Sequence, residues 1–255
     1  MIVKSERDKT ELKEAGRRLG EILKALARAA VPGVSVASLD KEAERMIREG
    51  GDTPAFLRYT PRGAERPYPA TLCVALNDVV VHGIPTESEA VLKEGDILGL
   101  DTGLVHNGYI VDSGITIPVG RVDAGAKKLM RTTREALYVG IEAARVGGRV
   151  GDIGYAIEQF VKPHGYGIVR ELGGHGVGKK VHEEPSIPNF GKKGKGPELL
   201  ENMVIAIEPM LNEGGREVSF DRDGYTVRTA DGSRSAHFEH TIIVTKGGPE
   251  IITEV

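Results

Sequence analysis

The sequence predicts an α+β fold made of two related halves. Three observations carry that prediction. Two amphipathic helix pairs recur at one fixed displacement, each pair gives way to β-rich sequence, and the strands of both halves carry acids at matching places. Helices segregated from mainly antiparallel strands make an α+β arrangement. No low-complexity linker divides the 255 residues. One domain, 1–255, is therefore expected, with halves of about 1–120 and 121–255 facing each other about an approximate two-fold axis.

Segment 9–30 places Leu12, Ala15, Leu19, Ile22, Leu23 and Leu26 at helical spacing, with Lys, Arg and Glu between them. Pro32 and Gly33 end that helix, and a second, Ser38 to Arg48, buries Leu39, Ala43, Met46 and Ile47. A second pair spans 125–145 and 152–162, broken at Gly147 and Gly148. A displacement of 114 carries Gly33 onto Gly147, Val36 onto Val150, Leu39 onto Ile153, Ala43 onto Ile157, Met46 onto Phe160 and Ile47 onto Val161. Any two amphipathic helices share some such matches, so the strands weigh more. Val81-His82-Gly83-Ile84-Pro85 answers Val181-His182-Glu183-Glu184-Pro185. EGDILGLD (94–101) answers ENMVIAIE (201–208), each a strand ending in a carboxylate, Asp101 or Glu208. YIVDSGITI (109–117) answers HFEHTIIV (237–244), each placing an acid, Asp112 or Glu239, before an apolar run.

Composition narrows the class. Hydrophobic residues at 40% and charged residues at 28% suit a globular protein with a sizeable core, and a net charge of -3 gives no bias toward nucleic acid. Cys73 is the lone cysteine, so no internal disulfide forms and a reducing compartment fits. The start of the chain is charged from Lys4 onward, which does not suit a signal peptide, and no run of about 18 apolar residues offers a membrane span. A cytoplasmic location is expected, with no membrane and no specific DNA as partner.

The chemistry concentrates in five side chains, Asp101, Asp112, His175, Glu208 and Glu239. The acids lie within or beside apolar strands, where a lone carboxylate would take up a proton rather than stay charged. Divalent cations remove that difficulty. Two of them, about 3.5–4 Å apart, suit several Asp/Glu plus one His, and such a pair activates water against an amide bond. The plainer reading of any one acid is a solvated strand end; the matched pairs argue for a site. His175 lies within a glycine-rich stretch, GGHGVG (173–178), a poor helix, and His182 follows it. Seven positions apart on a straight strand they would face opposite ways, so they share a site only if the chain turns between them. His237 and His240 flank Glu239 with opposite parity, so both cannot face the site, and they read as supporting or surface residues. The basic run FGKKGKG (190–196) reads as a solvated loop, with RNA contact as its alternative.

These motifs resemble a family. LDTG with Asp101 and Asp112, GGHGVG with His175, IEPM with Glu208 and FEHT with Glu239 are similar to the metal-ligand motifs of methionine aminopeptidases, and HGIP and HEEP match the family's other histidine positions. The resemblance covers most of the chain and, lacking an N-terminal extension and a long second-half insertion, points to type I. It implies the pita-bread fold around two divalent ions (Co, Mn, Fe, Zn or Ni), with Asp112 and Glu239 bridging, Asp101 completing one metal, and His175 and Glu208 the other. It also implies that Glu208 shuttles a proton and that His82 and His182 bind substrate, His182 at the scissile carbonyl. Cys73, Tyr68, Phe56 and Tyr225 become the methionine pocket, with the long segment RYTPRGAERPYPA (58–70) at its rim. Asn77, Val79 and Ser235 match a site for one Na or K ion. Expected partners are nascent polypeptide N-termini and the ribosome, for a monomer. A proline-directed peptidase of the same fold and a non-catalytic binding protein compete with this reading.

Overall fold

Ser5 sets where the first helix begins. Its hydroxyl accepts a hydrogen bond from the Asp8 N–H and so satisfies one of the free donors of α1 (Glu6–Ala29). In the computed structural model, which describes residues 1–61 and 63–254, Ser35 caps α2 (Val36–Glu49) in the same way. Asp123 caps α3 (Ala124–Ala143), and α4 (Val150–Val161) follows. Each helix starts one to three residues before the apolar spacing alone places it, and in α1, α2 and α3 a capping side chain marks the start.

The strands of the first half are β1 (Thr53–Pro54), β2 (Cys73–Leu76), β3 (Val79–Val81), β4 (Ile97–His106) and β5 (Tyr109–Pro118). After α4 come β6 (Gly167–Ile168), β7 (Gly173–Gly176), β8 (Glu183–Pro188), β9 (Val204–Ile207) and β10 (Met210–Asn212). The chain ends with β11 (Val218–Phe220), β12 (Val227–Thr229), β13 (Ser235–His237), β14 (Glu239–Thr245) and β15 (Gly248–Ile251). A large sheet runs β1-β4-β5-β14-β9-β7-β8, with β2 on β4 and β15 on β14. Its pairings are antiparallel. Two small sheets, β13-β10-β6 and β11-β12-β3, flank it.

The helix pairs enter the sheet by one repeated device. Gly33 and Gly147 both take positive φ, 93° and 78°. In the first half Gly33 N–H bonds Leu92 O at 2.8 Å, Val36 N–H bonds Ala90 O at 3.1 Å and Leu92 N–H bonds Val34 O at 2.8 Å. In the second, Gly147 N–H bonds Leu199 O at 2.9 Å, Val150 N–H bonds Pro197 O at 3.0 Å and Leu199 N–H bonds Gly148 O at 2.8 Å.

Packing divides by face. Leu98, Leu100 and Leu104 of β4 and Val111 of β5 pack with Leu12, Leu19 and Leu26 of α1. Ile242 and Val244 of β14 and Ile205 and Ile207 of β9 pack with Leu137, Ile141, Ile153 and Ile157 of α3 and α4. Alternation along each strand then leaves Asp101, Asp112 and Glu239 on the other face. One finding departs from the sequence reading: Asp101 lies inside β4, not at its end. The apolar alternation continues to His106, and the turn comes at Asn107-Gly108, both at positive φ, 48° and 79°.

Candidate metal centre

Register assembles the site. Cys73 pairs with Asp101, Asp101 with Gly114, and Gly114 with Glu239. Residues in register on adjoining strands project to one face, and Asp112, two residues before Gly114, joins it. Gly114 leaves the space the site needs: a Cβ there would stand 2.9 Å from the His237 ring and 3.3 Å from the Asp101 Cβ. Two hydroxyls clasp β5 to β14. Thr241 Oγ1 donates to Asp112 O at 2.7 Å and accepts from Asp112 N–H at 3.0 Å, while Ser113 Oγ donates to Glu239 O at 2.8 Å.

The result is a tight cluster. Asp112, His175 and Glu239 present atoms within 4.8 Å of one another, and so do Glu208, His237 and Glu239. Glu239 belongs to both groups. His175 Nε2 is 3.6 Å from Glu208 Oε1 and 3.9 Å from Asp112 Oδ2. Asp101 lies outside both groups but lines the same cavity of about 120 Å³, with Phe56, Tyr68, Cys73, His82, His182 and Tyr225. Asp101 Oδ1, Asp112 Oδ1, Glu239 Oε1 and His237 Nε2 are buried without a hydrogen-bond partner among the described residues. Orphaned carboxylate oxygens are unfavourable unless a cation meets them, and carboxylates with imidazole form a donor set for Mn, Fe, Co or Zn. The residues therefore fit divalent metal.

Charge in the cluster is unevenly held. Burial pushes the Asp112 carboxyl up to about 6, against the pull of His175. Burial, then Asp112, raises both Asp101 and Glu239 well above the usual carboxylate range. Burial also opposes the Glu208 anion, but His237, then His175, outweigh that and hold its carboxyl below the ordinary value. His82 is lowered by burial, and His182 falls to about 4 through burial and His175, so both rings are neutral near pH 7.

His175 and His182 sit on one hairpin, His175 on β7 and His182 just before β8, with ring centroids 4.5 Å apart. The glycines act mainly by close approach rather than by turning. Within GGHGVG only Gly178 has positive φ, whereas Cβ atoms at Gly174 and Gly176 would collide with the Ala206 and Glu184 carbonyls. Glu183 fixes the turn by accepting the Lys179 and Lys180 N–H groups at 2.7 and 2.8 Å.

Two contacts escaped the sequence reading. His237 is no surface residue: it is 3% exposed, with Nε2 3.5 Å from Glu208 Oε2 and 3.9 Å from Glu239 Oε2. Its i, i+2 relation to Glu239 was the available signal. His240 turns to the opposite side, where it bonds Thr253 Oγ1 at 2.9 Å. Tyr59, which no motif marks, shares a 3.0 Å hydrogen bond with His182 Nδ1. Tyr68 Oη donates to Gly83 O at 2.8 Å and Leu72 O at 3.1 Å, and its ring meets Tyr225 edge-on at 5.1 Å. Asn77, Val79 and Ser235 lie away from this cavity; the Ser235 N–H bonds Asn77 O at 2.8 Å, and Asn77 Oδ1 accepts the Ile97 N–H at 3.0 Å. The basic loop 190–196 lies against the start of α4, where the Gly151 N–H bonds Lys195 O at 2.9 Å. Among the described residues, no helix is long and apolar enough to cross a membrane.

Comparison with known proteins agrees with this geometry. Residues 10–246 match metallopeptidase family M24. A methionine aminopeptidase of Aquifex aeolicus is 46% identical over 98% of both chains. The crystal structure of methionine aminopeptidase from Rickettsia prowazekii superposes with a TM-score of 0.94 at 38% identity, covering 99% of this chain and 100% of that one. A prolidase from Pyrococcus horikoshii, 23% identical with a TM-score of 0.75, shares the fold over all of this chain and 64% of its own. With its curled antiparallel sheet, its paired helices and its carboxylate–imidazole cluster, this pita-bread chain belongs to metallopeptidase family M24, among the methionine aminopeptidases.

Proposed function

We propose that the chain hydrolyses the first peptide bond of newly made polypeptides that begin with methionine, at a centre of two divalent cations. The observation that carries this reading is the set of buried, unpartnered carboxylate oxygens of Asp101, Asp112 and Glu239 facing a cavity shared with His175 and His182. Asp112 and Glu239 would be shared between the cations, with Asp101 serving one and His175 and Glu208 the other. When bound, the cations supply Lewis acidity and bring the pKa of water toward neutrality.

The chain's own groups do the rest. Glu208, whose carboxyl His237 and His175 hold below the ordinary value, takes a proton from the attacking water and passes it to the leaving amine. His182 is neutral; in the tautomer whose Nδ1 accepts from the Tyr59 hydroxyl, its proton sits on Nε2, free to donate to the scissile carbonyl oxygen. His82, lining the same cavity, holds the peptide beside it. Cys73, Phe56, Tyr68 and Tyr225 form a largely apolar wall suited to a methionine side chain. A Na or K ion at Asn77, Val79 and Ser235 would brace the loops behind that wall. The exposed loop 190–196 would face the ribosome, from which a cytoplasmic monomer meets its substrates.

The test is an assay of Met-Ala-Ser against Xaa-Pro peptides after loading with Mn(II), Co(II) or Fe(II). Release of methionine with little Xaa-Pro cleavage is expected. Preferential Xaa-Pro cleavage would make the chain a proline-directed peptidase, and no turnover with any of the ions would make it a binding protein.

A further inference from the structure

The segment between β1 and β2 closes on itself. Arg58 N–H bonds Tyr68 O and Tyr68 N–H bonds Tyr59 O, both at 2.8 Å, so the loop has a fixed neck at Arg58, Tyr59 and Tyr68. Its two ends have separate anchors. Tyr59 touches His182 at one end. At the other, Arg66 makes a fork to Glu87, with Nη1 to Oε1 at 2.6 Å and Nη2 to Oε2 at 2.8 Å. The same guanidinium donates from Nε and Nη2 to Asp223 O at 3.1 and 2.9 Å and lies 5.9 Å from the Tyr225 ring centroid. Tyr225 Oη donates back to the Arg66 carbonyl.

We propose that Arg66 is a positioning residue for specificity: it straps the β11–β12 hairpin to the loop and so sets where Tyr225 stands against Tyr68 in the wall of the side-chain pocket. This deepens the proposed function and rests on that reading for the identity of the side chain. Arg66 and Glu87 are 39% and 42% exposed. An ion pair that exposed contributes little to global stability, so stability alone gives the five convergent contacts no purpose. The planar fork matters, because only arginine reaches a carboxylate and a carbonyl together from a rigid plane. The strap touches neither the acids nor His175, so its loss acts on side-chain recognition and not on hydrolysis.

The test compares Arg66→Met, Arg66→Lys and wild type, each metal-loaded, on Met-Ala-Ser and Leu-Ala-Ser. For Arg66→Met the expected result is a KM for Met-Ala-Ser raised about 5- to 10-fold, the size of a disturbed apolar contact. Metal content is unchanged, kcat stays within about twofold, and the preference for methionine over leucine shrinks in proportion. Arg66→Lys, which keeps the charge but not the fork, recovers less than half of that preference. Hydrogen exchange reads the strap independently of substrate: the Tyr68, Tyr225 and Thr226 amides exchange about tenfold faster in Arg66→Met, while those of β4 and β5 do not change. An unaltered KM and preference, or a kcat that falls together with metal content, overturns the proposal. If wild type cleaves Xaa-Pro peptides instead, the functional reading fails alone, and the same KM, preference and exchange changes on those peptides still decide the role of Arg66.

Discussion

At the scale of single residues, Glu208 and His182 sit in the same cavity yet are assigned different work. In the proposed mechanism Glu208 is both a metal-facing carboxylate and the proton carrier, and His237 and His175 hold its carboxyl below the ordinary value. Glu208→Gln keeps the size of the side chain and removes both capacities, so kcat should fall by about 10²-fold or more with the fold intact. His182 has its Nδ1 engaged by Tyr59 and no carboxylate oxygen among its hydrogen-bond partners. His182→Ala should therefore lower turnover severely while metal content stays near that of wild type. Turnover and elemental analysis on the same samples separate the two roles: a parallel loss of metal in His182→Ala would make that histidine a ligand, and near-normal turnover in Glu208→Gln would remove the proton relay.

At the scale of elements, the centre depends on how β14 meets β5. Among the described residues, Glu239 and His240 pair directly with that neighbour, the hydroxyls of Thr241 and Ser113 add further links, and Thr116 Oγ1 donates to His237 O on the adjoining β13. Thr241→Val is nearly isosteric but strands the Asp112 N–H and C=O in a buried setting. It should cost about 1–3 kcal/mol, read in denaturant midpoints, and weaken metal binding because Asp112 and Glu239 are no longer held in step. An unchanged midpoint would mean that the sheet rather than the hydroxyl fixes them. Much of this was legible beforehand. Alternation in 109–117 and 237–244 put Asp112 and Glu239 beside apolar strands, and the displacement of 114 located both helix pairs. What was hidden was contact made across long separations. Parity excluded a joint role for His237 and His240, but the break at Phe238 between β13 and β14 obscured which ring turns inward. Tyr59 and Arg66 lie in a loop with no periodicity, so their partners at His182 and Asp223 followed from no local pattern.

At the scale of the whole molecule, the fold gathers acids from both halves onto one face and leaves their oxygens without partners. Such a cluster is a source of instability until a cation fills it, because burial and mutual repulsion oppose the anions that metal binding requires. Metal should therefore stabilise the native chain while gaining little from the unfolded one, in which those acids are far apart along the sequence. At a free concentration of 100 times Kd the linkage gain is about 2.7 kcal/mol. For a chain of this size that corresponds to a rise in Tm of roughly 5–10 °C. Chelation should reverse the rise and re-addition of Mn(II) restore it, followed by scanning calorimetry. Asp112→Asn serves as the internal control, since it relieves repulsion and removes a proposed shared ligand together. Its metal-free Tm should equal or exceed that of the metal-free wild type, and its response to Mn(II) should nearly vanish. A wild-type Tm indifferent to both chelator and Mn(II) would mean that the cluster holds no ion and that its charges are balanced by protons alone.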